Sequence, residues 1–286
     1  MQEKKNTKTR MVFRRVRLFL KRYGRVVLGG SIIAVVLFCS VFAPLLTSFD
    51  PGAIDVPSAK QPPSELHSLG TDVYGRDLWA RLLYGSRSTL IVALGSQILT
   101  VASGAVLGLI CGYYKKAEKI LMRFLEAFAT IPNLLLCLLM VSILGGSILN
   151  LIIAMSISNI PGCARMVRNQ VLSLREREFI ESERAMGASS ARTIFLHILP
   201  HCTSYLIVEF TSGLAGAVLS MTSLSYLGVG LSATIPSWGG IIQESQAVLF
   251  SSPHIILYAS LAICVTIFGF SILGDGVRDV LDPKLR

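Results

Sequence analysis

Long apolar stretches limit what this chain can fold into more than any other feature of its sequence. A helix that crosses a bilayer core about 30 Å thick needs about 20 mostly apolar residues. Because backbone amides inside lipid must bond within their own segment, such stretches are expected to be helical. We therefore predict an all-α integral membrane protein with six transmembrane helices, over residues 26–46, 88–113, 124–144, 148–164, 205–227 and 255–275. The fourth is the shortest, and we expect it to end near Pro161.

The composition agrees with a membrane protein. Charged residues make up only 15% of the 286 residues, whereas soluble domains carry about 25%. The mean hydropathy is +0.61. A chain of this length would suggest two soluble domains, but it has too few charges to cover two water-facing surfaces. These values exclude a disordered chain and argue against a soluble enzyme.

The positive charges orient the predicted helices. If the N-terminus is cytoplasmic, the inside segments 1–25, 114–123, 164–202 and 276–286 hold 23 of the 27 Lys and Arg residues. Cytoplasmic loops are enriched in Lys and Arg, so this distribution supports a cytoplasmic N-terminus and an even number of spans. The net charge of +10 then reflects topology rather than nucleic-acid binding.

We divide the chain by topology. Residues 1–25 form a basic cytoplasmic arm, which is either an amphipathic helix on anionic lipid or a charge cluster that only sets orientation. Residues 26–87 hold the first transmembrane helix and an outer loop, and residues 88–286 hold a core of five transmembrane helices. The first apolar stretch is longer than the hydrophobic region of a signal peptide, so we expect a retained anchor.

The outer loop changes character along its length. Four prolines predict an extended first half, and residues 70–87 predict a short helix at the outer membrane surface. This second half carries a cluster of charges that is either a docking surface or an internal set of ion pairs. Its members are Asp72, Arg76, Asp77, Arg81 and Arg87.

The long cytoplasmic loop, residues 164–202, is charged and helix-prone. Helical spacing places Leu172, Phe179, Ile180 and Met186 on one side, opposite Arg177, Glu178, Glu181 and Ala185. We expect one face to pack on the membrane domain, and the other either to dock a soluble partner or to remain a solvated, ion-paired face. Gly187 permits a sharp turn after this helix.

A few residues raise other functions. Glu209 lies within the fifth predicted helix, where an acidic residue at the membrane centre costs roughly 2.5–3.5 kcal/mol. It therefore should face protein or water, and it either lines a polar path or hydrogen-bonds a neighbouring helix. His197 and His201 are four residues apart, but Pro200 between them argues against a metal site. The six cysteines are read as small core residues.

Catalytic motifs are missing from the sequence. No GxxxxGK[ST] stretch occurs, so the chain has no phosphate-binding loop of this type and we predict no ATPase site of its own. Two Gly-x-Ser stretches have no membrane-embedded histidine to act as a base, which argues against an intramembrane hydrolase.

The cytoplasmic loop resembles the EAA loop of ABC importer permeases. That family pattern is Glu-Ala-Ala, three residues, Gly, nine residues, then Ile-x-Leu-Pro. This chain has Glu181-Ser182-Glu183, then Gly187, then His197-Ile198-Leu199-Pro200. It departs from the pattern at Ser182, Glu183 and His197 but keeps the spacing.

Three further segments resemble the C-type permease subunit of dipeptide, oligopeptide and nickel importers. They are the outer-loop signature at residues 70–87, residues 225–239 with Trp238, and the C-terminal signature at residues 274–283. The resemblance covers residues 25–286, and the motifs occur in the expected order and at the expected depth.

This resemblance implies a type I ABC importer permease fold and a set of partners. A second, B-type permease would complete the path, two cytoplasmic ATPases would bind ATP and Mg, and an extracytoplasmic binding protein would deliver cargo. Glu209 would lie in the path, and Asp72, Arg76, Asp77, Arg81 and Trp238 would serve outer docking or gating. Coupling to the ATPase would fall to Glu178, Glu181, Ser182, Glu183, Ala185, Gly187 and Pro200.

Three functions follow from these observations. The first is a permease subunit for di- and oligopeptides, and the second is the same architecture importing nickel or a metal–chelator complex. The third, a stand-alone channel or carrier, would move cargo without a second permease or ATPases.

Overall fold

The computed structural model describes residues 23–281, so most of the predicted basic arm lies outside the described residues. Within residues 23–281 the structure is helical, and its only β-type pairing is an isolated bridge between Thr71 and Asp77. The long helices are α1 (Tyr23–Val41), α3 (Leu78–Tyr113), α6 (Ile148–Arg175), α9 (Leu199–Tyr226) and α11 (Pro253–Leu281). The shorter helices are α2 (Ala43–Leu46), α4 (Lys115–Ala129), α5 (Asn133–Leu144), α7 (Glu178–Ala185), α8 (Ser190–Arg192) and α10 (Trp238–Glu244).

Five helices of the described part are long and apolar enough to cross a membrane, with α8 and α9 joined into one helix over Ser190–Tyr226. A sixth span results if α4 and α5 are counted together. The predicted all-helical fold with six spans is therefore confirmed when this bent pair counts as one.

The third predicted span, residues 124–144, is wrong as a single helix. α4 and α5 meet at an angle of 88°, and the chain leaves helical geometry between them at residues 130–132. Pro132 explains the break, because proline lacks an N–H donor and disfavours helical geometry at the residue before it. α5 alone has 12 residues, a length of about 18 Å at 1.5 Å per residue, which is short of a bilayer core.

The fourth predicted span is also wrong at its inner end. α6 does not stop near Pro161 but continues through this buried residue to Arg175. Arg175 donates a 3.0 Å hydrogen bond from Nη1 to the main-chain oxygen of Gly112 at the end of α3. Packing along α3 therefore outweighs the local cost of the proline, which is about 3 kcal/mol in a helix interior.

The short helix predicted at the outer surface is not a separate element. α3 begins at Leu78 and runs without a break for 36 residues, so the boundary we set after residue 87 falls inside it. Asp77 caps its start, where the carboxylate accepts a 2.8 Å hydrogen bond from the Ala80 N–H. Side-chain acceptors at this position satisfy otherwise unpaired amides of the first turn.

The centre of the fold is the pair α3 and α6. Gly104, Gly108 and Gly112 of α3 face Cys163, Ala164, Val167 and Val171 of α6 so closely that a Cβ atom on any of the three would overlap them. Small residues let helix backbones approach in membranes. α9 packs beside this pair and α11 beside α9, while α1 lies on α11.

Candidate functional site

A polar cavity opens between α3, α6, α9 and the corner where α4 meets α5. Its volume is about 330 Å³. Glu209 and Arg165 are the charged residues of its lining, and the polar ones include Gln97, Thr100, Asn133, Ser158, Asn159 and Ser220. A cavity of this size and polarity at membrane depth can hold water or a small polar solute.

α3 fixes the position of Glu209 in the cavity wall. Gln97, which is 5% exposed, donates a 3.0 Å hydrogen bond from Nε2 to the main-chain oxygen of Glu209. Gly213 makes this contact possible, since a Cβ atom there would overlap the Gln97 amide. The side chain of Glu209 is half-buried, and no hydrogen bond or ion pair to its carboxylate is found among residues 23–281.

The cytoplasmic loop contains a short helix with one anchored side. Ile180 of α7 is fully buried and packs with Val171 of α6 and with Ile194 and Ile198. Glu178, Glu181, Ser182 and Ala185 are exposed. The predicted apolar side is only partly buried, because Phe179 is 38% and Met186 76% exposed. α7 thus presents four of the predicted coupling residues and Phe179 to its surroundings, and Met186 directly after it adds a second exposed apolar side chain.

The segment after α7 turns sharply and leads directly into the membrane. Gly187 has a φ of +82°, the left-handed conformation that glycine adopts without steric cost. Residues Thr193–Ile198 then form a π-helical turn, and Pro200 lies in the first turn of α9. Short π-helical stretches are rare and often lie at functional sites.

The two histidines of this segment have different neighbours. His197 Nε2 lies 3.4 Å from Glu183 Oε1, which connects the predicted coupling helix to the π-helical turn. The His201 ring lies 5.7 Å from the Phe179 ring.

The outer charge cluster forms a buried network. Arg76 Nε donates to Asp72 at 2.6 Å, and Arg81 Nη1 donates to Asp72 and, at 2.6 Å, to Glu244 of α10. Arg76 also donates to Glu244. All four side chains are at most 11% exposed. These contacts match the internal ion-pair alternative, whereas a docking role would require the side chains to become accessible.

The remaining outer residues differ in burial. Asp77 pairs with His67 Nδ1 at 2.8 Å, and Arg87 is exposed. Trp238 is 2% exposed and donates a 3.0 Å hydrogen bond from Nε1 to the Leu82 main-chain oxygen. Glu244 was not predicted as part of this network. The one sequence signal for it is that its carboxylate stands alone after a mostly apolar stretch.

Comparison with known proteins identifies the family. Residues 104–286 match the model of the binding-protein-dependent transport system inner membrane component. The chain is 38% identical to the dipeptide transport system permease protein DppC of Alkalihalophilus pseudofirmus, over 93% of this chain and 88% of that protein. It is 35% identical to the glutathione transport system permease protein GsiD of Pectobacterium atrosepticum, over 94% and 90% respectively.

A solved structure agrees with the fold. An inward-facing structure of the MetNI methionine ABC transporter matches with a TM-score of 0.58 and 20% identity, over 71% of this chain and 96% of that one. The helical architecture, the spans and the family match together support one conclusion. This chain belongs to the binding-protein-dependent transport system inner membrane components, and it is a multi-pass inner membrane permease of an ABC importer.

Proposed function

We propose that this chain forms half of the translocation path of an ATP-driven importer for di- and oligopeptides. A second, B-type permease completes the path, and an extracytoplasmic binding protein delivers the cargo. The relatives described above are named for dipeptide and glutathione transport, which favours a peptide over nickel or a metal–chelator complex.

The observation that carries this proposal is the arrangement of α7. Glu178, Glu181, Ser182 and Ala185 are free to contact a cytoplasmic ATPase, and Phe179 and Met186 add apolar surface beside them. An exposed face of this mixed character suits a groove on a soluble partner.

The anchored side of α7 supplies the route for coupling. Ile180 packs against Ile194 and Ile198 of the segment that enters α9, and Glu183 lies beside His197 of the same segment. A displacement of α7 is therefore transmitted to α9, which carries Glu209 in the cavity wall. Gly187 sets the turn and Pro200 the start of α9 in this route.

In this proposal the chain itself is a transport subunit and not an enzyme. Two partner ATPases bind ATP and Mg, and their closure supplies the force on α7. The lack of a GxxxxGK[ST] sequence supports this division of labour.

The outer network has a bracing role in the proposal. Asp72, Arg76 and Arg81 tie the start of α3 to Glu244 of α10, and Trp238 ties α10 to Leu82. These contacts hold the outer ends of two helices together while the binding protein docks above them, and we assign gating at the outer side to this region.

Uptake by the reconstituted importer tests the proposal. The chain is placed in proteoliposomes with its second permease, ATPases and binding protein, and accumulation of radiolabelled dialanine and of nickel is measured. We expect dialanine uptake that requires ATP and every component. Nickel uptake without dialanine uptake would assign the alternative cargo, and dialanine uptake by this chain alone would contradict the proposal.

A further inference from the structure

The polar cavity has features of a cargo-binding site, and the inference drawn from them rests on the proposed function. Its volume of about 330 Å³ lies within the range of roughly 300–1,000 Å³ found for small-molecule sites. Its lining includes side-chain amides from three different helices, α3, α5 and α6.

Two glycines leave room for something that is not part of this chain. Gly162 of α6 and Gly216 of α9 both line the cavity, and a Cβ atom on either would meet nothing within 4 Å. Gly104 and Gly108 at the α3–α6 contact differ from them, because a Cβ atom on either would overlap α6. Gly162 and Gly216 are both exposed, so the cavity is open on this side and a solute can enter it without displacing side chains of this chain.

Within residues 23–281 the charges of the lining lack ion-pair partners. The Glu209 carboxylate has no ion pair or hydrogen bond among the described residues, and Arg165, which lines the same cavity, forms no ion pair with it within 4 Å. Glu209 is half-buried in the membrane-spanning α9, where a charge is costly unless it meets water or an opposite charge. Arg165 is exposed. A carboxylate and a guanidinium group are therefore available to a ligand that carries one positive and one negative charge.

The uncharged lining fits the rest of such a ligand. Asn133 of α5 donates a 3.1 Å hydrogen bond from Nδ2 to Asn159 Oδ1 of α6, so two amide groups are held side by side. Amide groups can donate to and accept from a peptide bond.

We propose that this cavity is a contact site for zwitterionic peptide cargo, in which Glu209 receives the cationic amino terminus and Arg165 the carboxylate. Asn133 and Asn159 contact the peptide backbone between them. Glu209 is then a specificity-determining residue that favours cargo with a free amine.

Substitution of Glu209 tests the proposal in the reconstituted importer. Uptake of dialanine and ATP hydrolysis are measured for the native chain, E209Q, E209D and the control E126Q, whose carboxylate is exposed on α4 and outside the cavity lining. We expect E209Q to lower dialanine uptake about tenfold, the order of loss expected when a charge-assisted contact is removed. E209D should retain most of the uptake, and E126Q should match the native chain.

A second variant keeps the test independent of the stability of E209Q. G216L fills the open space without meeting packed atoms, so it should block uptake while the complex still assembles and hydrolyses ATP. Its control, G30L, adds the same side chain on α1, where a Cβ atom lies 4.0 Å from Leu273 Cδ1.

The outcomes separate the two proposals. Native uptake by E209Q, equal losses in E209Q and E209D, or native uptake by G216L would overturn the cargo site while leaving peptide import intact. A native complex that accumulates no dialanine would instead contradict the proposed function itself.

Discussion

Gly187 has a backbone conformation that strongly limits which residues can replace it. Its φ of +82° is left-handed, yet a Cβ atom there would meet nothing within 4 Å. A larger residue at this position is therefore disfavoured by the backbone conformation and not by steric overlap with neighbouring atoms. This separation makes the residue suitable for a graded test of the turn after α7.

We predict that Gly187→Val uncouples transport while membrane insertion stays normal. A left-handed conformation costs L-residues roughly 1–2 kcal/mol, and β-branching adds to that cost, so the turn should open. Peptide uptake per ATP hydrolysed, measured with the amount of inserted protein, checks this. Gly187→Asn is the matched control and should keep most of the coupling, because Asn tolerates this conformation. Equal, native coupling in both variants would show that the turn is not needed.

The outer network supports a prediction about stability. Asp72→Asn removes one carboxylate that accepts from both Arg76 and Arg81, and loss of one member of a buried ion pair costs about 3–5 kcal/mol. We expect a clearly lower unfolding temperature for the detergent-purified protein. Asp279→Asn is the control, since its pair with Arg25 is solvent-accessible and such pairs contribute at most about 1 kcal/mol. Similar melting of the two variants would contradict the buried network.

At the scale of residues, local sequence predicted only part of the sites. The turn at Gly187 could be predicted because glycine and its spacing are local signals. The partnership of Arg76 and Arg81 with Glu244 could not, since more than 160 residues separate these side chains along the chain. The contact of Gln97 with α9 could not be predicted either, since it joins residues far apart in the sequence and requires that Gly213 has no side chain.

Among the elements, α3 and α6 pack closely through glycines of α3. A Cβ atom on Gly108 would lie 2.6 Å from Val167 Cβ and 2.7 Å from the Ala164 main-chain oxygen, and the latter is backbone that cannot rotate away. The two helices can keep this distance only with glycine at the contact.

Gly108→Ala should therefore destabilise the protein, by about 1–3 kcal/mol as for other overpacked sites. Thermal unfolding in detergent, followed by circular dichroism, is the measurement. Gly216→Ala provides the comparison, because that position faces open space on α9 and its stability should be unchanged or slightly higher. If both variants unfold at the native temperature, the helices are not packed as described.

Two prolines show where helix prediction from sequence succeeds and fails. The positions of the spans follow from apolar length alone, but Pro132 breaks a helix and Pro161 does not. Pro132 is exposed at a corner, whereas Pro161 is buried and precedes Cys163 and Ala164, which pack against Gly104. Tertiary packing decides between the two outcomes, and a single sequence carries no local sign of it.

Three features follow one another along the helices of the described part of the chain. A buried ion network braces the outer ends of α3 and α10, a polar cavity lies between the helices, and α7 lies on the cytoplasmic side with one anchored face. α9 connects the last two features, because its inner end follows the loop and its wall carries Glu209. These contacts are the basis of our proposal that displacement of α7 changes the shape of the cavity.

Cross-linking of α7 to an ATPase tests the central claim most directly. A single cysteine is introduced by Ser182→Cys in a chain whose six native cysteines have been replaced. Membranes with the complete importer are then treated with a cross-linker that reacts with a thiol at one end and with a lysine amine of the partner at the other. We predict a product with the ATPase subunit whose yield changes when ATP is added. Labelling of this cysteine from the outer side of the membrane, with no ATPase product, would contradict the account.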